Sequence, residues 1–596
     1  MEKKLAISSN RIMQIKNSET ANNFIPRFDR KFFQSMEDFY WIGEGSFGGK
    51  ASGLAFIKHI IRDKINHEEF PNIEIKIPRM IVLRTEVFDS FMERNNLYQS
   101  ALNETSDIRI INEFLNADLP VEILGDLWTL IENINSPLAI RSSSMLEDAK
   151  FEPFAGIYAT KMIPNNQPSI EMRYHKLIEA IKFIYASTFF KASKDYFKSS
   201  SHKIEEEKMA VIIQEIVGQN HNFRFYPNFS GVAKSYNYYP TGRSKPEHGV
   251  VNLALGLGKT IVDGGVVWSY SPLFPKSPPP FADPQAMLDL TQKYFWAVDL
   301  NPIVEFDPTK ETEYMKQFQL NDAEYDNTLK LVASTYDSHS NKIIIGVGAD
   351  GARVLNFSPL LSFDDYTYNS LIKKILKVCE EAFNNPVEIE FAVTIDKETN
   401  KMHFGFLQVR PMVVSNEVVE INENEISGEA ILTASDHVMG NGSLDFITDI
   451  VFVKPEMFDK KNTKLIAGEI DLINKKLVIA RKPYLLIGFG RWGSSDPWLG
   501  IPVEWGEISG AKVIVESTLF EINVELSQGS HFFHNLTSFN VCYFSINYDG
   551  KFKIDWNWLN EQNTVTEKDF VKHVSLSKPL KIKVDGRTGR GVIKKW

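Results

Sequence analysis

Three separated groups of residues in this 596-residue chain have the types and spacing to hold a polyphosphate together with a hard cation. The first is Arg141-Ser142-Ser143-Ser144, preceded by the apolar run Pro137-Leu138-Ala139-Ile140 and followed by Glu147-Asp148 and Phe154-Ala155-Gly156. An arginine at a strand end offers a planar fork of N–H donors that matches phosphate oxygens, and small neighbours let the backbone come close. The glycine permits a tight loop over a polyphosphate with no side chain in the way. The second group is Gly43, Gly45, Gly48 and Gly49, leading to Lys50 and a helical pattern of Leu54, Ile57, Ile60 and Ile61. Glycines ahead of a helix N-terminus, with a lysine at the join, make a phosphate-binding element. It is not a Walker loop, because Ala51 follows Lys50 where that motif needs Ser or Thr.

The third group lies between 387 and 412, VEIEFAVTIDKETNKMHFGFLQVRPM. Two alternating runs joined by the polar stretch 396 to 401 predict a hairpin. Period two puts Glu388 and Glu390 on one face of the first strand, and Gln408 and Arg410 on one face of the second. Met402, Phe404 and Phe406 share parity with Gln408, so an apolar face turns polar at its end, a local break in pattern of the kind that marks function. A carboxylate and an amide oxygen facing one cleft suit Mg²⁺, which takes hard oxygen ligands and borrows some from a nucleotide. Arg410 is placed to neutralise charge on a transferring group.

The surrounding elements follow from composition. Residues 77 to 97 read as a buried strand, a cap at Thr85 and a helix; 100 to 136 and 169 to 197 read as helical. The run MAVIIQEIVGQ, 209 to 219, is an apolar strand carrying Gln214, Glu215 and Val217, suited to lie against a flat apolar ring. Residues 1 to 35 are a polar leader without period, and 273 to 340, Pro-rich and then acidic, read as a peripheral insertion.

Arg-Ser-Ser-x-x-x-Glu-Asp followed by Phe-Ala-Gly resembles the signature of the nucleotide-binding domain of phosphoenolpyruvate synthase and pyruvate phosphate dikinase, an ATP-grasp relative. Gly-Gly-Lys-x-x-x-Leu at Gly48, the run FSGVAKSYNYYPTG from 229 to 242, and Leu-Gln-x-Arg-Pro at Leu407 extend the resemblance in the family's order over about two thirds of the chain. Residue by residue, it implies that Lys50, Arg141 and Arg410 hold phosphates, the two arginines being catalytic. Glu390 and Gln408 hold magnesium, and Gln214 with Val217 borders the adenine. One departure is Lys259, which stands in Gly-Leu-Gly-Lys where the family has Glu.

The fold class expected is therefore α/β: an ATP-grasp nucleotide module from 36 to 415, then a smaller, mostly β (α+β) domain from 425 to 596. After Met412, 184 residues follow, too few for both the family's swivelling phosphohistidine domain and its pyruvate barrel. The barrel is expected to be absent, and pyruvate with it as a substrate. In the tail, GEAILTAS, DIVFVK, KLVIARKPYLLIGFG and AKVIVES carry β signals. LIGFGRWGSSDPWLGIPVEW is partly similar to the Gly-rich turn that opens the phosphohistidine helix of the swivelling domain, implying a diverged copy. Asp496 then stands where the histidine would be; its other reading is a cap before Pro497. His531, three residues before His534 in SQGSHFFHNL, is the imidazole available for phosphoryl carriage, or a packing residue.

At 43% hydrophobic and 24% charged, with a formal net charge of -10, the composition is that of a globular protein without the cationic face of a nucleic-acid binder. Cys379 and Cys542 are too few for a disulfide framework, and no signal peptide or apolar 18-residue window is seen. A cytoplasmic protein is expected, binding a nucleotide and a phosphoryl acceptor but neither nucleic acid nor membrane; a homo-oligomer is compatible with the sequence. ATP and Mg²⁺ are the implied cofactors. The resemblance implies an ATP-dependent phosphotransferase. The missing histidine and Lys259 keep a second reading open, a nucleotide-binding regulator or scaffold without turnover.

Overall fold

In the computed structural model the chain is described over residues 25–31, 38–147, 156–199, 202–238, 240, 243–277, 283–301, 306–363, 366–412, 414, 419–494, 496, 498–519, 536 and 539–596. In chain order its first strands are β1 (Phe39–Ile42), β2 (Ile73–Lys76), β3 (Met80–Leu83), β4 (Leu138–Ser144), β5 (Thr160–Ile163), β6 (Met209–Glu215), β7 (Gln219–His221), β8 (Arg224–Tyr226) and β9 (Phe229–Lys234). They continue as β10 (Val250–Ala254), β11 (Trp268–Tyr270), β12 (Tyr294–Asp299), β13 (Met315–Gln319), β14 (Ala333–Asp337), β15 (Lys342–Ile344), β16 (Ala352–Leu355), β17 (Val387–Ile395) and β18 (Met402–Pro411).

Two sheets frame the site. One has the order β1-β3-β6-β4-β5 and the other β11-β10-β9-β17-β18-β2. Both are mainly antiparallel; only β1 with β3 and β2 with β18 run parallel. The apolar runs Met80–Leu83 and Met209–Ile213 are buried residue by residue, as expected of strands covered on both faces. The helix Gly48–Lys64 buries Ala51, Leu54, Ile57 and Ile61 between the two sheets. Its apolar positions recur at three and four residues, the spacing of one helix face. The expected hairpin is β17 and β18, with Glu388 opposite Arg410 and Glu390 opposite Gln408; a bulge follows at Glu390/Phe391. Asp396 closes its turn by accepting the backbone N–H groups of Glu398 and Thr399.

Three sequence expectations are corrected. Thr85 does not cap its helix, Thr85–Arg94; the cap position is Arg84, and the Thr85 hydroxyl accepts the Ser46 backbone N–H at 2.9 Å. The stretch 273 to 340 is not peripheral: β12 and β13 join β8 and β7 in a four-stranded sheet, β14 pairs with β15 and β16, and Phe295, Ala297 and Ala333 enter the core. In the tail, the expected strand signal KLVIA is the last turn of the helix Thr463–Ile479. Ile466, Ile470, Ile473 and Leu477 already form a buried stripe there, so the β-branched residues extend a nucleated helix.

The described part of the tail is mostly β strand with few helices. Its largest sheet has the order Val438–Met439, Cys542–Ile546, Ala511–Ser517, Tyr484–Phe489, Asp449–Val453, Val571–Ser575, Asn563–Glu567, and the four strands from Cys542–Ile546 to Asp449–Val453 are mutually parallel. The helix Thr463–Ile479 makes one of the crossovers such strands require. A second sheet pairs Ile431–Ser435, Arg590–Lys594, Lys581–Asp585 and Asn441–Leu444. Both cysteines are buried, and neither is in a disulfide among the described residues. No helix among the described residues is long and apolar enough to cross a membrane.

Candidate functional site

A cavity of about 560 Å³ lies between the two framing sheets. Lys50, Arg141, Gln214, Val217, Glu390, Gln408 and Arg410, which sequence reasoning placed at one site, all line it. They come from separate elements: Lys50 from the first turn of Gly48–Lys64, Arg141 from β4, Gln214 from β6, Glu390 from β17, and Gln408 with Arg410 from β18.

Arg141 is the hub. Its guanidinium donates to Gln408 Oε1 at 2.8 Å, to the Leu407 carbonyl at 3.2 Å, and to Gln214 Oε1 and Glu390 Oε2 at 3.4 Å. Lys50 Nζ donates to Glu147 Oε1 at 2.7 Å and to Ser142 Oγ at 3.3 Å. Arg410 pairs with Glu388, whose other oxygen lies 3.1 Å from Lys234 Nζ. Val217 follows β6 and seats against Gly405 of β18, where any Cβ would lie 2.5 Å from its methyl carbon.

The glycines have a different use from the one their spacing suggested. At Gly48, with φ +74°, an added Cβ would lie 1.6 Å from the Ser143 carbonyl oxygen; at Gly49 it would lie 1.8 Å from that of Glu147. The pair lets the helix N-terminus press directly on the serine loop. Ser143 Oγ accepts the Ala51 N–H at 3.1 Å and donates to the Phe47 carbonyl at 2.9 Å. The glycines thus place Lys50 by backbone packing.

Several lining residues were missed by sequence reasoning. Lys259 pairs with Asp263 at 2.9 Å, and both line the cavity. Thr309, Glu311 and Met315 close it from the stretch expected to be peripheral. That wall is anchored on β5: Glu311 accepts the Thr160 N–H at 2.9 Å, and Lys161 pairs with Glu313 at 2.8 Å. Burial raises the Glu311 carboxyl above the usual range and lowers the Lys161 ammonium. Glu147, named in the sequence only as part of the Arg141 motif, lies behind the lining, wholly buried beneath Lys50.

The tail candidates fall elsewhere. His531 and His534 lie outside the described residues. Asp496 is exposed in a turn, where its carboxylate accepts the Trp498 N–H at 2.9 Å, and it does not line the cavity. The glycine-rich stretch opens no helix among the described residues; Arg491–Trp492 pairs in parallel with Gly500–Ile501. This removes the local geometry behind the likeness to a phosphohistidine turn. Arg491 instead donates to the Gly264 carbonyl at 3.0 Å, next to the loop that carries Asp263.

No group of three or more His, Cys, Asp or Glu among the described residues could hold a metal ion. Glu390 and Gln408, opposite one another, form a two-oxygen set that suits a hard cation completing its shell with phosphate oxygens. The model of the pyruvate phosphate dikinase AMP/ATP-binding domain matches residues 44–430, about two thirds of the chain. No curated protein matches it.

Proposed function

The chain belongs to the family of the pyruvate phosphate dikinase AMP/ATP-binding domain, and from that premise we propose that it is an ATP-dependent phosphotransferase working in the cavity between the two framing sheets. The observation that carries the reading is the convergence of Lys50, Arg141, Arg410, Glu390 and Gln408, from four elements and up to 360 residues apart, on one cavity. A protein that only recognised adenine would need the apolar wall of Ile216, Val217 and Leu407, and not this set of phosphate and metal groups.

Each residue then has a physical task. Lys50, Arg141 and Arg410 bind the phosphate oxygens and oppose the charge that spreads over them as the phosphoryl group moves. Glu390 and Gln408 would hold Mg²⁺, which would supply further charge neutralisation. Burial between the sheets strengthens each of these interactions by excluding water. Catalysis in this account is positioning and electrostatics; the bond from phosphorus to the leaving nucleotide oxygen breaks as one to the acceptor forms. Pyruvate as acceptor is not part of the proposal.

The test is Glu390→Ala. Affinity for ATP measured with Mg²⁺ should fall to the value found without it, and turnover should drop about 100-fold or more. Unchanged affinity and turnover would remove Glu390 from the site. A second reading, a nucleotide-dependent regulator, is favoured by Lys259 lying in an ion pair with Asp263 beside the Arg491 contact. Tight binding without any consumption of ATP would select it.

A further inference from the structure

We propose that Glu147 is the positioning residue of the phosphate lysine: its carboxylate holds the Lys50 ammonium on the cavity wall and yields it to a triphosphate. The inference rests on the reading of Lys50 as a phosphate-binding group.

The Glu147 side chain is 0% exposed, and a carboxylate buried so completely persists only when paired and hydrogen-bonded. Its Oε1 accepts from Lys50 Nζ at 2.7 Å and from Ser142 Oγ at 2.9 Å, while Oε2 accepts the Ser144 N–H at 3.0 Å. The loop is folded around this one group. Of its donors only Lys50 reaches the cavity and sits on a flexible stem. Glu207, packed beside the same loop, is pushed up to about 8 by burial, with the nearby Glu147 charge adding to the effect. Glu147 is the carboxylate that faces Lys50.

An ion pair kept for stability alone would be arranged otherwise. Lys50 is the third residue of its helix, where the helix dipole disfavours a cation, and no acidic residue stands in that first turn. The positive charge is set at the unfavourable end of the helix and sustained there by Glu147. That end is also where an anion is best received. A polyphosphate arriving at the cavity competes with the carboxylate for the ammonium, so the pair keeps the lysine aimed without fixing it.

Glu147→Gln preserves the shape and the bond from the Ser144 N–H while removing the competing charge. Titrations with AMP, and with the Mg²⁺ complex of a non-transferable β,γ-imido analogue of ATP, separate its effects. In Glu147→Gln the analogue should bind about tenfold tighter and AMP as in the wild type, because only the triphosphate replaces the lost counter-ion. In a Lys50→Met background the same change should do nothing, since the partner is gone. If Glu147→Gln does not fold, Glu147→Asp, which withdraws the carboxylate by one methylene, should give the same split between analogue and AMP. Equal weakening of both ligands would show a merely structural role, and an unchanged analogue affinity would also overturn the proposal. Should Lys50→Met bind the analogue like the wild type, the reading of Lys50 itself fails, and the proposal with it.

Discussion

Each of the four cations lining the cavity already faces a carboxylate: Lys50 with Glu147, Arg141 with Glu390, Lys259 with Asp263, and Arg410 with Glu388. A nucleotide therefore exchanges one set of charge-assisted bonds for another, and its affinity is the difference between them. Arg141 is the clearest case, because its guanidinium lies on Glu390 and Gln408, the two oxygens assigned to the cation. Glu207 carries a second consequence at this scale. Burial pushes its carboxyl up to about 8 in the fold against 4.5 for an ordinary glutamate, so between those pH values the unfolded chain is ionised while the fold holds the proton. This costs nothing below pH 4.5, grows as pH rises to 8 and is constant above. Glu207→Gln should then raise stability at pH 8 by a few kcal/mol, about 2 to 5, and leave it unchanged at pH 4, as read from urea midpoints. Equal destabilisation at both pH values would contradict the assignment. Glu390, Gln408 and Arg410 were legible in the sequence because a hairpin converts alternation into a shared face. The pairing of Glu147 with Lys50 was not, since 97 residues separate them and nothing local records the contact.

At the scale of elements, the site depends on how closely the helix Gly48–Lys64 approaches the end of β4. Gly48 combines a left-handed φ of +74° with backbone contact to Ser143, so a methyl group there is excluded twice. Gly48→Ala should cost more than about 3 kcal/mol and displace Lys50, lowering ATP affinity even where the protein still folds. Thermal unfolding together with nucleotide titration checks this; an unaltered variant would show that the helix has freedom the packing denies it. The glycines were visible in the sequence, and the wrong cause was attached to them: their spacing resembles a loop that wraps phosphate, whereas here they admit a neighbouring backbone. The stretch 273 to 340 misled for the opposite reason. Its proline and acid content reads as surface, yet β12 and β13 pair with β8, and Glu311 and Lys161 tie that wall to β5. Composition reports solvent preference on average and does not see which strand edge is waiting to be paired.

Across the whole molecule, the tail is packed onto the nucleotide-binding part. Trp505 stacks on Phe539 with ring centroids 4.8 Å apart, and Phe539 meets the edge of Tyr196 in the helix Lys191–Ser199 at 5.3 Å. One apolar cluster runs through Tyr185, Tyr196, Trp492 and Trp505. Trp505→Ala should cost about 3 to 5 kcal/mol and resolve one calorimetric transition into two. Trp505→Phe should cost less than about 1.5 kcal/mol, because the buried indole N–H has no hydrogen-bond partner to lose. A single unshifted transition in Trp505→Ala would mean that the two parts are not coupled through this contact. The tail's strands were legible individually from their apolar runs, but their parallel order was not, since crossover pairing is set by the helix Thr463–Ile479 and by segments distant in sequence. The central claim is that ATP held in the cavity loses a phosphoryl group. It is tested most directly by incubating the protein with Mg²⁺ and ATP labelled separately at the β and γ positions and following the label in nucleotide, phosphate and protein. Label should leave ATP with the wild type and remain in ATP with Glu390→Ala; ATP bound tightly by the wild type and recovered wholly intact would contradict the claim.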